Sequence, residues 1–478
     1  MAQTLNVDIC VIGAGTGGLS VAAGACQMGA DTVLIEKGKM GGECLNTGCV
    51  PSKSLIAAGR SAAAIRSARR YGVLGAAPQV DFRAVHDHVH GVIAAIAPHD
   101  SQDRFEAMGV KVIRAPARFT GRDQVTAGET TIRARRYVVA SGSSPMIPPI
   151  PGLDGVPYLT NETVFDLTEI PAHLIVIGGG PVGAEMGQAH RQLGSRVTVA
   201  EMFSILGRDD PELVEVVRHR LGADGIEMHE GAKVVRVETQ ADTGGGEMVV
   251  VLDRNGTEQR IEGSHLLVAV GRRPNVDGLG LEAAGIAYGA QGIAVDHRLR
   301  TSNRRVFAIG DVIGGPLYTH AAAYHAGIVL RNALFRLPAR VDYRALPWVT
   351  YTDPELAHVG MTEAQAKAKL GHVRVLRWSF DANDRAQTER RTEGMIKVIA
   401  TRRGRVVGTS IVGRHAGDLL QPWILAIARN IKMRAMADHI VPYPTLSEIN
   451  KRVAGSFYTP NLFSERTRKV VRLLARFG

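Results

Sequence analysis

Val7-Asp8-Ile9-Cys10-Val11-Ile12-Gly13-Ala14-Gly15-Thr16-Gly17-Gly18 reads as a buried strand running straight into a glycine turn. Five of its first six residues are apolar, with Asp8 near the start, as expected of a strand covered on both faces of a parallel sheet. An alanine-rich helix follows through Met28, and a second strand, Thr32–Ile35, ends at Glu36. The same grammar returns further on. A strand at Leu174–Ile177 leads into Gly178-Gly179-Gly180-Pro181-Val182-Gly183, then a helix to Leu193 and a strand Val197–Ala200 ending at Glu201. In both copies the acidic residue stands 18 positions after the last glycine (36 − 18 and 201 − 183). A strand before, a helix after and an acid at that distance are the context that makes such a glycine motif a dinucleotide-binding unit.

The glycines have separate expected tasks. Gly13 and Gly178 permit the tight turn, Gly15 and Gly180 let backbone approach a pyrophosphate, and Gly18 and Gly183 let helix and strand pack closely. The pyrophosphate then sits at a helix N-terminus, where free amides and the helix dipole favour its charge. Glu36 and Glu201 should each accept hydrogen bonds from a ribose 2′-hydroxyl. A carboxylate repels a 2′-phosphate, so the second site is expected to prefer NADH, with NADPH the poorer ligand. The first cation after Glu201 is Arg208.

Composition narrows the rest. A chain of 478 residues exceeds one hydrophobic core and implies several domains. The net charge of +11 suits steering of anionic ligands; the bases are scattered and form no recognisable nucleic-acid module, so no nucleic-acid partner is expected. No apolar run has the length of a membrane span, and the N-terminus does not read as a signal peptide. A cytoplasmic location is therefore expected. Four cysteines are too few for a secreted disulfide scaffold.

Two of those four lie in Gly41-Gly42-Glu43-Cys44-Leu45-Asn46-Thr47-Gly48-Cys49-Val50-Pro51-Ser52-Lys53. By spacing alone they could form a structural disulfide or half a metal site, although zinc usually wants CxxC spacing and further ligands. Their place directly after a dinucleotide-binding unit favours a redox dithiol, with no resident metal. A reversible pair needs one sulfur kept as thiolate and one accessible for exchange. Cys10, in the first strand, and Cys26, in the first helix, read as buried, inert thiols.

Over nearly its whole length, and most specifically at Cys44–Lys53, the chain resembles the pyridine nucleotide-disulfide oxidoreductases, the group containing dihydrolipoamide dehydrogenase, glutathione reductase and mercuric reductase. The resemblance implies FAD in the first nucleotide site and NAD in the second. It implies that Cys44 is the interchange thiol that attacks substrate and Cys49 the thiolate in charge transfer with the flavin. Lys53, near flavin N5, would pair with Glu185. Asp311 would bind the flavin ribitol, and His320 and Ala321 would begin a helix whose N-terminus faces the flavin pyrimidine. Gly142 joins the expected FAD contacts and Gly271 the expected NAD contacts. A homodimer follows too, with Tyr443 completing the partner's site.

Here the sequence also departs from the group. Its disulfide reductases carry His-Pro-Thr and a glutamate near the end, whereas this chain has Tyr443-Pro444-Thr445-Leu446-Ser447-Glu448. A phenol titrates near pH 10 and an imidazole near 6.5, so tyrosine can donate a hydrogen bond near neutrality but is a poor base. His439 could act instead, although a surface histidine is the plainer reading. Mercuric reductases resemble this segment in carrying tyrosine, yet they have a cysteine pair near the C-terminus, and no cysteine follows Cys49.

The expected fold is α/β: two Rossmann-like dinucleotide-binding domains, for FAD and NAD, plus a C-terminal α+β dimerisation domain. The division is residues 1–148 and 271–342 for FAD, 149–270 for NAD(P) and 343–478 for dimerisation. In the last part Met395–Ala400 and Val406–Val412 read as a hairpin, and Glu363–Leu370 and Asp418–Ala428 as helices. The tail Leu462–Phe477 reads as an amphipathic helix packed on its own protein, with a membrane-surface helix as the less favoured alternative. The expected activity is electron transfer from NADH through FAD to Cys44–Cys49 and on to a disulfide acceptor, as in dihydrolipoamide dehydrogenase. The alternatives are reduction of a metal ion, as in mercuric reductase, or a non-catalytic flavoprotein subunit or scaffold.

Overall fold

The computed structural model describes residues 3–239 and 248–477. Residues 1–202 and 231–341 form one compact unit, and residues 203–230 and 342–478 a second.

The first unit contains both glycine motifs. Strands Lys111–Ile113, Thr32–Ile35, Gln3–Ile12, Thr130–Val139 and Val306–Ala308 lie side by side and parallel. Ala117–Gly121 and Gln124–Ala127 extend the sheet antiparallel along the start of Thr130–Val139. Alternate residues of the opening strand serve opposite faces. Cys10 and Ile12 pack with Tyr137 and Val139 on one side. Ile9 and Val11 pack on the other with Leu19, Ala22 and Ala25 of helix Thr16–Gln27 and with Val329 and Leu330 of helix Thr319–Ala333. A run apolar in every position is what two covered faces demand, and each such aliphatic side chain contributes about 1.5–3 kcal/mol on burial.

The second motif repeats this in a smaller sheet of parallel strands Arg196–Glu201, His173–Ile177 and His265–Val268. Its helix, Pro181–Leu193, opens with proline in the first turn, where the missing N–H costs nothing. An antiparallel meander of Lys233–Thr239, Met248–Arg254 and Thr257–Gly263 sets Val250, Leu252 and Ile261 against Ile175 and Ile177. The apolar run Met248–Leu252 does not alternate, so the sequence gives no sign of this meander. The long helix Cys49–Ser67 packs on Pro181–Leu193 at Gly59, where an added Cβ would stand 3.1 Å from Ala189 O. That close approach carries the start of the cysteine-bearing helix towards the second motif.

The second unit holds a five-stranded antiparallel sheet in the order Pro347–Thr350, Glu355–Gly360, Val406–Gly413, Met395–Thr401, Val373–Ser379. The expected hairpin is its centre. Helix Glu363–Leu370 is found with the bounds read from sequence, while the expected helix Asp418–Ala428 is two, Ala416–Leu419 and Gln421–Ala428, with Pro422 in the first turn of the second. Proline lacks the N–H that an unbroken helix would need there. Residues 203–230 group with this unit, and Lys397 meets their acids Asp210 and Glu212. Its ammonium is 4 % exposed and lies 2.8 Å from Asp210, 2.9 Å from Glu212 and 2.7 Å from Glu363.

The tail forms helix Glu465–Leu474, and none of its residues is buried. The expectation that it packs on its own protein fails within the single chain: its apolar side chains have too little protein beside them to cover them.

Candidate active site

The two glycine loops are near copies in geometry. Gly13 and Gly178 have φ +106° and +109°, and a Cβ on either would stand 2.3 Å or 2.4 Å from a facing carbonyl, that of Ala140 or Ala269. A Cβ on Gly18 or Gly183 would stand 1.8 Å or 1.9 Å from the carbonyl of the motif's own first glycine. At Gly15 the nearest atom to an added Cβ is Gly42 Cα at 4.0 Å, and at Gly180 nothing lies within 4 Å. The first and third glycines are thus required by protein packing, while the second faces open space. Each of these second glycines is the N-cap of its helix, with no side chain capping the first turn. Amides so placed suit a pyrophosphate. The acids are equivalent too: Ala14 N–H donates to Glu36 Oε2 at 2.6 Å and Gly179 N–H to Glu201 Oε2 at 2.7 Å. Each carboxylate therefore braces the loop as well as standing at the end of its strand.

The cysteine segment lies against the first loop, with Gly41 bridged to Gly15. Cys44 lies in the short helix Gly42–Asn46, and Cys49 is the first residue of Cys49–Ser67. The Cys49 thiol is lowered to about 6, first by a hydrogen bond from Cys44; Thr319 and the charge of Lys53 also lower it, against an opposing effect of burial. The Cys44 thiol is pushed well up, first by that same hydrogen bond and then by burial. One sulfur is therefore a ready thiolate and the other a protonated donor. The helix N-terminus at Cys49 further suits an anion. Thr319 Oγ1 lies 3.3 Å from Cys49 Sγ. Thr319 was absent from the residues singled out in sequence; its only local signal was its place beside His320 at a helix start. Lys53 Nζ, one helical turn beyond Cys49, lies 2.7 Å from Glu185 Oε2, a carboxylate 6 % exposed.

A polar cluster stands beside this pair. Ser143 Oγ donates to Asp311 Oδ2 at 2.6 Å, and Arg272 lies 2.6 Å from Glu43 Oε2 and 3.7 Å from Asp311 Oδ2. Burial raises Glu43 to about 7, with Arg272 opposing. Gly142, at φ +72°, precedes Ser143, and its carbonyl accepts from Asn275 N–H. Gly271, at φ +134°, accepts from Met146 N–H at 3.0 Å. His320 is exposed in the first turn of Thr319–Ala333, stacked with Tyr318, and Ala321 is fully buried. Of the other cysteines, Cys10 is fully buried and its thiol pushed far up by desolvation. Cys26 is only half-buried and donates to Met108 O at 2.9 Å, so the expectation of burial is met at Cys10 alone.

In the second unit the Tyr443 hydroxyl donates to Asp384 Oδ2 at 2.8 Å, which raises its phenol. Glu448 accepts from Arg452 Nη2 at 2.7 Å. Tyr443, Glu448, Trp378 and Lys451 line a cavity of about 450 Å³. His439 is exposed.

Residues 7–326 match the family model described as pyridine nucleotide-disulphide oxidoreductase, and residues 346–454 match its dimerisation domain. A mercuric reductase of Staphylococcus aureus is 34% identical over 95% of this chain and 82% of its own length. A dihydrolipoyl dehydrogenase of Bacillus subtilis (strain 168) is 32% identical over 92% and 96%. The Cu(II) complex of the HOCl-induced flavoprotein disulfide reductase RclA from Escherichia coli superposes with a TM-score of 0.84 at 25% identity, over 94% of this chain and 99% of that one. The chain belongs to the pyridine nucleotide-disulphide oxidoreductases. It is a flavoprotein disulfide oxidoreductase that acts on sulfur groups with FAD and NAD(P)H, and it carries the family's dimerisation domain. The open second glycines, uncapped helix ends and facing carboxylates fit the two dinucleotides.

Proposed function

We propose that this chain is an NADH-dependent disulfide reductase of dihydrolipoamide dehydrogenase type, with residues 1–148 and 271–342 holding FAD, 149–270 holding NADH and 343–478 joining the dimer. FAD, when bound, supplies the two-electron relay between nicotinamide and the dithiol. The observation that carries the reading is the setting of Cys49: it opens a helix with its sulfur 3.3 Å from Thr319 Oγ1, one turn before Lys53, whose Nζ lies 2.7 Å from Glu185 Oε2. Cys49 is the thiolate that would meet bound FAD, held by Thr319 and by the positive Lys53, which Glu185 orients. Cys44 attacks one sulfur of the acceptor disulfide, its proton passing to the sulfur that leaves as the first thiol. The Cys49 thiolate then attacks Cys44, restoring the intramolecular disulfide, and the second sulfur leaves as a thiolate that takes its proton from solvent. Glu201 selects NADH by repelling a 2′-phosphate, and Tyr443 of the partner subunit donates a hydrogen bond at the substrate end.

A second reading, reduction of a metal ion, is favoured by two features: Tyr443 stands where the disulfide reductases carry histidine, and a mercuric reductase is among the relatives. Anaerobic enzyme reduced with NADH and offered lipoamide, glutathione disulfide and Hg(II) in parallel separates the two. Turnover with a disulfide supports the first reading; turnover with Hg(II) alone replaces it by the second.

A further inference from the structure

Beyond the matched dimerisation domain, which stops at residue 454, the chain continues into helix Glu465–Leu474. Leu462, Phe463, Val470, Val471, Leu473, Leu474 and Phe477 are each more than half exposed, Phe477 81 % so. Those within the helix are ordered by its geometry. Val470, Val471 and Leu474 are spaced to share one face. Arg468 and Arg472, four apart, line the opposite face with Lys469. Residues 465–477 carry five cations and one acid, Glu465. The helix is set locally: Ser464 accepts from Thr467 N–H at 3.3 Å, and Thr467 Oγ1 donates to Asn461 O at 2.8 Å.

We infer that this tail is an in-plane anchor for an anionic lipid surface. A strongly amphipathic, basic helix of low overall hydropathy lies at the interface, apolar side chains among the acyl chains and cations among the headgroups. No helix among the described residues is long and apolar enough to cross a membrane, so the attachment is peripheral. Charge complementarity selects the occupant. A second copy of this helix carries the same excess of cations and offers them no counter-charge, whereas an anionic bilayer neutralises and attracts each one. One ten-residue helix gives marginal, reversible binding; two on a dimer bind the same surface together and gain avidity.

The test uses the FAD-loaded dimer and vesicles of phosphatidylcholine, with and without an equal part of phosphatidylglycerol. Wild type should cosediment with the anionic vesicles only, and less so as salt is raised. Val471→Glu/Leu474→Glu should lower the bound fraction at least about tenfold, with dimer mass and NADH-driven turnover unchanged. Failure to bind anionic vesicles, or equal binding to both kinds, overturns the inference. So does a variant that falls apart into monomers, since the face would then be covered by a second copy. Vesicle binding is read without turnover, so its result stands apart from the identity of the acceptor.

Discussion

Replacing Cys44 by alanine should raise the pH at which the Cys49 thiol ionises. In the reduced pair Cys49 is lowered to about 6, and the hydrogen bond from Cys44 is the largest cause. A hydrogen bond to a charged group contributes about 1.5–3 kcal/mol, and 1.36 kcal/mol corresponds to one pH unit, so losing it should shift the midpoint upward by about one to two units. The thiolate exists above the midpoint and the thiol below. At pH 7 Cys49 should therefore fall from about nine-tenths thiolate to a half or less. Only the thiolate alkylates readily, so the assay is the pH dependence of iodoacetamide labelling at Cys49, read by peptide mass spectrometry on reduced, FAD-loaded enzyme. Cys44→Ser retains a donor and should keep the midpoint near that of the wild type. An unchanged midpoint in Cys44→Ala would refute the reasoning, and a shift confined to Thr319→Val would move the principal donor to Thr319.

Glu201→Ala should reduce kcat/KM for NADH by about 10- to 100-fold, since a charged hydrogen-bond acceptor is lost, and narrow the gap to NADPH; a wild-type preference for NADPH would contradict the assignment. Tyr443→His should raise lipoamide turnover near neutral pH by at least about tenfold, because positioned bases contribute about 10²–10⁴-fold; equal rates would mean that tyrosine is no handicap. Gly15→Ala should fold normally yet release FAD, since its Cβ meets only Gly42 Cα at 4.0 Å, whereas Gly18→Ala, with a Cβ 1.8 Å from Gly13 O, should lower the melting temperature even without FAD. Flavin content and thermal melts read both, and equal FAD retention in the two variants would count against the separate glycine roles.

The glycine loops were legible because each glycine answers a local demand, a positive φ or a carbonyl too close for a Cβ, which sequence spacing carries directly. The hairpin and Glu363–Leu370 were legible from periodicity. The meander at 233–263 was not: Met248–Leu252 is buried throughout, and an apolar run without alternation does not reveal its partners. Thr319 escaped because it meets Cys49 across 270 residues, and Asp384 because it meets Tyr443 across 59. Such contacts are made by the fold and leave no mark on spacing. Glu448 keeps the motif position of the group's glutamate, yet Arg452, one turn along its own helix, meets the carboxylate.

The most direct measurement is an anaerobic titration of the yellow enzyme with NADH, counting thiols at each step by alkylation and peptide mass spectrometry. Two new thiols per chain, at Cys44 and Cys49 and at no other cysteine, are expected as NADH is consumed. Flavin bleaching with no new thiol at either position would contradict a redox-active Cys44–Cys49 pair.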